Sequence, residues 1–140
     1  MRVILTGIEF SEMNKPSSYE AVVISILKAA AIKFEREKQF KDLRNGYYRF
    51  DFYIPSLNIL IECDGEGHFQ FIKKFHKSKS DFTKAQERDR LKNSYALAQG
   101  IKLYRIPYWE FEHLTQFSDL TQDKFLVMSK WHNDMLRLPK

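Results

Sequence analysis

The chain of 140 residues is 44% hydrophobic and 29% charged, a balance that excludes a disordered chain and suits a single domain over residues 1–140. Cys63 is the one cysteine, which excludes an internal disulfide, and no Cys/His group has structural-zinc spacing, so a reducing cytoplasmic setting is expected. The net charge of +5 favours polyanionic partners such as nucleic acid, whereas no apolar run nears the roughly 20 residues of a membrane span and no signal-peptide pattern opens the chain, so no membrane partner is expected.

Residues 1–15 read as an arm with a short strand at 3–5. A helix is predicted over 17–38, capped by Ser17 after Pro16, with Val23, Ile24, Ile26, Leu27, Ala30, Ala31 and Phe34 on one stripe. Residues 39–43 read as a strand, and Asn45-Gly46 as a hairpin turn before the aromatic run at 47–54. The turn at 55–58 leads to a buried strand at 58–64. After Gly65 comes a loop in which Lys73, Lys74, Lys77 and Lys79 interleave with His68, His76, Phe69, Phe71 and Phe75. That mixture suits a phosphate backbone and stackable bases. A second helix at 81–99 ends at Gly100, and a strand at 101–106 is stopped by Pro107. A short helix at 108–113 and a final one at 123–136 complete the chain, the latter with Phe125, Met128, Trp131 and Met135 at near-helical spacing and expected in the core. Helix, three-strand meander, helix and strand together predict an α/β (α+β) fold, with the last strand parallel to one already in the sheet.

The chemistry-bearing residues stand out by strand parity. Alternation puts Phe50, Phe52 and Ile54 on one face and Arg49, Asp51 and Tyr53 on the other, and it pairs Leu60 with Glu62 and Asp64 opposite Ile59, Ile61 and Cys63. Acids gathered on a sheet cost several kcal/mol in repulsion and desolvation unless a cation neutralises them, and oxygen ligands suit Mg²⁺, with Mn²⁺ as a substitute. Glu62 is the most telling, being flanked by apolar residues. Glu20 has two readings. It completes a capping box with Ser17, and it also lies on the sheet-facing stripe of its helix. Asp89 and Lys92 turn inward on the second helix, although spacing alone favours an ordinary solvated i,i+3 ion pair.

Glu20, the segment Arg49-Phe50-Asp51-Phe52, and Glu62-Cys63-Asp64-Gly65-Glu66-Gly67-His68 after a buried strand together resemble the core of PD-(D/E)XK nucleases. More narrowly, with Glu87-Arg88-Asp89-Arg90-Leu91-Lys92-Asn93 and the stretch 100–108, the chain is similar to the branch of very-short-patch repair and phage homing-type (EDxHD) endonucleases, over about residues 17–112. The resemblance implies a restriction-endonuclease-like α-β-β-β-α-β core with a mixed four-stranded sheet flanked by helices, preceded by the arm and followed by a C-terminal helical extension at 113–140. It implies Asp51, Glu62 and Asp64 as metal ligands with the Cys63 carbonyl as a further one, His68 as general base or phosphate contact, Asp89 as its orienting partner, and Glu20 in support. Two departures stand out. Asp64 occupies the superfamily's lysine position, leaving His68 or Lys92 to substitute, and Gly67 stands where phage relatives carry Gln.

The expected function is therefore Mg²⁺-dependent endonucleolytic hydrolysis of DNA phosphodiesters, of a phage or mobile-element type acting in the host cytoplasm. Lys73, Lys74, Lys77, Lys79, His76 and Arg49 are expected against DNA, with Phe69, Phe71, Phe75 or Trp109 as wedges or stacking platforms. Specificity would come from the core's own loops or from a homodimer. The alternative is a nuclease-fold nucleic-acid-binding module without turnover, which the missing lysine encourages.

Overall fold

A computed structural model describes residues 15–136, so the expected strand at 3–5, nearly all of the arm, and the last four residues lie outside the described part. Helix α1 (Ser18–Ala29) begins at the expected cap: Glu20 N–H donates to Ser17 Oγ (3.1 Å), and Ser17 N–H donates to Glu20 Oε1 (3.0 Å). It stops well short of residue 38. Ala31 adopts a left-handed φ of 56°, Ile32 N–H closes onto Leu27 O (3.0 Å), and the charged segment Glu35–Gln39 becomes strand β1. Backbone pairing with the next strand outweighs the local helical pattern there. The charges suit an edge strand, where they oppose pairing with other chains.

Strands β2 (Arg49–Ile54), β3 (Ile59–Asp64) and β4 (Lys102–Pro107) complete a four-stranded sheet in the order β1-β2-β3-β4. The first three run antiparallel, and β4 lies parallel to β3 as expected. Helix α2 (Lys79–Gln99) makes the crossover, capped by Ser78 and ended by Gly100 at φ 71°. Helix α1 covers one face of the sheet through Val23, Ile26 and Leu27, which pack with Phe52, Ile54, Ile61 and Ile106. Helix α2 covers the other, where Ala96 meets Phe50, Leu60 and Leu103. All six residues of β3 are buried, as a central strand covered on both faces requires. The predicted α/β class, a mixed four-stranded sheet flanked by helices, is the fold observed.

Strict alternation fails at Asp51. Phe52 and Ile54 face α1, but Phe50 lies in the cluster under α2. At this level the adjacent Glu37 of β1 takes a φ of 57°, and the recorded β2–β3 pairs end at Phe52 with Ile61. Asn45-Gly46 does not form a two-residue hairpin either. It belongs to a nine-residue connection between Gln39 and Arg49, which are register partners.

The C-terminal part departs most from expectation. Tyr108–His113 is a 3₁₀ segment, α3 (Phe117–Leu120) follows, and the predicted helix at 123–136 is divided into a 3₁₀ turn at Asp123–Phe125 and a short α4 (His132–Leu136). Between them Leu126 bridges to Tyr104 and Val127 N–H donates to Leu103 O (2.9 Å), so the chain runs extended beside β4. Phe125 is buried as expected, whereas Met128 and Met135 are 75% and 64% exposed and Trp131 stacks against Arg90 at 4.6 Å. Among the described residues no helix is long and apolar enough to cross a membrane.

Candidate active site

The broken ladder between β2 and β3 is closed by side chains. Asp51 N–H donates to Glu62 Oε2 (2.8 Å), and Cys63 N–H donates to Asp51 Oδ2 (2.8 Å). Each carboxylate takes a backbone donor of the neighbouring strand, which holds the two acids side by side. Glu62 Oε1 accepts from Lys92 Nζ (3.0 Å), and that ammonium also lies 5.0 Å from the Phe50 ring centre. Lys92 is thus no solvated member of an i,i+3 pair. It reaches the β3 carboxylate from the inner face of α2, and the switched face of Phe50 supplies its aromatic floor. Burial first, and then the Glu62 charge, push the Asp51 carboxyl well above the usual carboxylate range, with Lys92 opposing and Glu20 adding to the effect.

A second cluster lies along the same face of β3. Arg105, wholly buried on β4, donates from Nη1 to Asp64 Oδ1 and Oδ2 (2.8 and 3.1 Å) and from Nε to Asn93 Oδ1 (2.6 Å), and its Nη2 lies 3.5 Å from Asp89 Oδ1. His68 Nδ1 donates to Asp89 Oδ2 at 2.8 Å and lies 3.5 Å from Asp64 Oδ1. Asp64, expected as the third metal ligand, is instead the bidentate counterion of Arg105, because β4 brings a guanidinium opposite the end of β3. Asp89 does orient His68.

These contacts decide His68's charge. Burial disfavours its imidazolium, but the Asp64 and Asp89 carboxylates outweigh that and raise its pKa to about 9. Burial likewise opposes ionisation of Asp89, yet Arg105 and His68 hold its carboxyl well below the usual range. A cationic His68 is a hydrogen-bond donor at neutral pH. A histidine raised in the folded state above its ordinary value of 6.5 stabilises the fold fully below that pH and loses the contribution as pH rises through about 9. In EDTA, the difference in urea stability between wild type and His68→Gln is therefore expected to be largest near pH 6 and to shrink by about pH 10. A difference independent of pH would show that the ring is not charged.

The two clusters differ in balance. Asp64 and Asp89 face Arg105 and cationic His68, and Glu62 faces Lys92 and, at 3.9 Å, Arg105, whereas Asp51 makes no ion pair among the described residues. Glu20 completes the capping box as expected and also lines the cleft that holds Asp51 and Glu62, 3.6 Å from Arg36. The uncompensated negative charge therefore sits at Asp51. Among the described residues no group of three or more His, Cys, Asp or Glu side chains stands at metal-ligating spacing. Mg²⁺ commonly takes only one or two protein carboxylates and keeps waters for substrate phosphate, and Asp51, held beside Glu62 without an ion pair of its own among the described residues, fits that need. Cys63 can contribute only through its carbonyl: its side chain packs with the α1-side core, and burial pushes its thiol pKa up.

Both acids open into a cleft of about 790 Å³ between the start of α1, the turn after β3 and the first half of α2. Lys77, Lys84 and Arg88 line it. Lys73, Lys74 and Lys79 are exposed but do not line it. His76, expected against DNA, also lines the cleft although it is largely buried: its Nδ1 lies 3.1 Å from both Ile72 N and Ile72 O, and its ring stacks on Phe71. Phe69 packs against Tyr108 and Trp109, and Phe75, 60% exposed, is the freest of the expected stacking residues. A Cβ on Gly67 would come within 3.1 Å of the Phe75 ring, so the glycine permits the loop's close return.

Arg105, Asn93, Lys84 and Arg88 had no assigned role in the sequence. Arg105 did carry a signal, being a charge within the apolar strand run Leu103, Tyr104 and Ile106. Arg49 lies outside this cleft, in a neighbouring groove that shares Arg88 and Lys92.

No protein-family model matches the chain. It is similar to uncharacterized protein 307L of Invertebrate iridescent virus 6, at 36% identity over 67 residues covering 46% of this chain and 34% of that protein. It is also similar to uncharacterized protein 094L of Frog virus 3, at 39% identity over 59 residues, covering 41% of this chain and 38% of that protein. The chain spans well under half the length of these curated relatives, and neither name carries an activity.

Proposed function

We propose that the chain is a metal-dependent nuclease that hydrolyses DNA phosphodiesters at the Asp51–Glu62–Lys92 site, as its resemblance to PD-(D/E)XK nucleases implies. The observation that carries this reading is the arrival of Lys92 at Glu62 (3.0 Å), beside an Asp51 that makes no ion pair of its own among the described residues. That Lys92 reaches Glu62 from α2 supports its standing in for the lysine absent two residues after Glu62. That offsets the main argument for a binding module without turnover.

Asp51, Glu62 and the Cys63 carbonyl would hold Mg²⁺ or Mn²⁺. When bound, the ion lowers the pKa of water and neutralises charge on the phosphate. The chain's own groups do the rest. Lys92 sets positive charge beside the reacting phosphate, where a fixed cation favours developing negative charge. His68, held by Asp89, donates toward phosphate oxygen as an imidazolium. Lys77, Lys84 and Arg88 hold the backbone by charge. Asp64 and Arg105 keep the end of β3 and helix α2 in register so that Glu62 and Lys92 meet.

Incubation of supercoiled plasmid and duplex oligonucleotides with Mg²⁺ or Mn²⁺ tests this. Wild type is expected to cut, Lys92→Met to cut about 10²- to 10³-fold more slowly, and an Asp51→Ala, Glu62→Ala double variant not to cut. Wild type as inert as the double variant, with DNA binding equal in both, would establish the binding module instead.

A further inference from the structure

The connection between β1 and β2 carries a feature that the carboxylate site does not use. Arg44, Asn45 and Gly46 take consecutive left-handed φ angles of 49°, 54° and 79°, a run that only glycine adopts without steric cost. The turn is held by Gly46 N–H to Leu43 O and Tyr47 N–H to Arg44 O (both 2.9 Å) and by Gln39 Nε2 donating to Gly46 O (2.8 Å). Its result is the outward display of Tyr47, 78% exposed, with its ring 5.7 Å from that of Tyr48. Strained backbone that the surroundings hold in place concentrates at ligand-binding segments.

The groove beside this turn, about 800 Å³, is lined by Arg44, Arg49, Arg88 and Lys92 together with the two tyrosines, and among the described residues no acidic side chain lines it, the nearest charge partner being Glu37, 3.9 Å from Arg49. The active cleft, by contrast, is lined by several acids. The guanidinium groups of Arg44 and Arg88 lie 5.4 and 5.9 Å from the Tyr48 ring centre, and neither has a carboxylate partner among the described residues. Arg88 and Lys92 line both openings, so a polyanion leaving the Asp51–Glu62 site passes from one to the other along cationic side chains.

We infer that this groove binds unpaired nucleotides continuous with the strand at the carboxylate site, one base stacking on Tyr47 and the phosphates lying against Arg44, Arg49 and Arg88. An exposed ring flanked by cations suits a base face, and a base within a duplex cannot present its face sideways to such a ring. The inference rests on the nuclease reading for the identity of the polymer, and it names the substrate class: DNA with a single-stranded segment next to the cut position.

Binding can be read without cleavage, by anisotropy of labelled DNA in EDTA. Wild type is expected to bind a duplex bearing a single-stranded overhang more tightly than its blunt counterpart. Tyr47→Ala should weaken overhang binding by about 5- to 100-fold, as loss of one stacked base implies, Tyr47→Phe should retain it, and Arg44→Ala with Arg49→Ala should reduce the salt dependence. The side chain is exposed, so unchanged melting of the Tyr47 variants serves as the folding control. Equal overhang affinity for wild type and Tyr47→Ala overturns the inference, even in a protein that cuts DNA. An overhang preference that depends on Tyr47 supports it, even in a protein that does not cut and for which the nuclease reading has failed.

Discussion

Asp51→Asn is expected to abolish cleavage while making the metal-free protein harder to unfold. Burial and the Glu62 charge raise the Asp51 carboxyl above its ordinary range in the folded state. An acid whose folded pKa exceeds its unfolded value binds protons more tightly when folded, so stability falls as pH rises from about 4 through the raised value. At neutral pH the raised Asp51 carboxyl is thus a cost to folding. Asparagine removes the titrating group, and its side-chain oxygen can still accept from Cys63 N–H, so a gain in stability is expected in EDTA. A divalent cation should reverse the ranking: at 100-fold excess over its dissociation constant it stabilises wild type by about 2.7 kcal/mol and should have little effect on the variant. Thermal melts with and without Mg²⁺ or Mn²⁺ read both effects independently of activity. A wild type indifferent to both ions would remove the metal from this site.

The largest loss of stability is expected from Arg105→Met. The guanidinium is fully buried and is the shared cation of Asp64 and Asp89. Burial opposes its charge, yet Asp64, Asp89 and Glu62 outweigh that and hold its pKa above the usual arginine range. Removing one partner from a buried ionic group leaves charge uncompensated, at a cost of about 3–5 kcal/mol. Adding Asp64→Asn to Arg105→Met should recover part of the loss, since it removes one of the stranded charges. Urea unfolding measures both, and a loss under about 1 kcal/mol for the single variant would show that Arg105 is not the keystone of this cluster. The same series separates the two acids of β3, because Asp64→Asn alone should leave the ion-dependent stabilisation in place whereas Asp51→Asn should not.

Several features were legible before any fold was known, because they depend on short-range rules. The Ser17 cap, the buried strand Ile59–Asp64, the long second helix with Gly100 at its end, and the parallel return of β4 all follow from capping chemistry, apolar runs and chain connectivity. Asp51 and Glu62 were marked by the same logic, as acids interrupting segments that a core would keep apolar. Where the prediction failed, backbone pairing between distant segments outweighed a local pattern. Glu35–Gln39 left a helical stripe to become an edge strand, and Leu126–Val127 left another to run beside β4.

The carboxylates of Asp51, Glu62 and Asp64 could be picked out from composition and alternation alone, since burying an acid is costly enough to be conspicuous in a sequence. Which cation answers each was decided only by the tertiary structure. Lys92 is 30 residues from Glu62 and Arg105 is 41 from Asp64; only the α2 crossover and the parallel pairing of β4 with β3 bring them together. Charge pairing across such separations depends on three-dimensional distance, which no local spacing encodes. That is why the sequence did not show Arg105 as the partner of Asp64, nor Lys92 as the partner of Glu62.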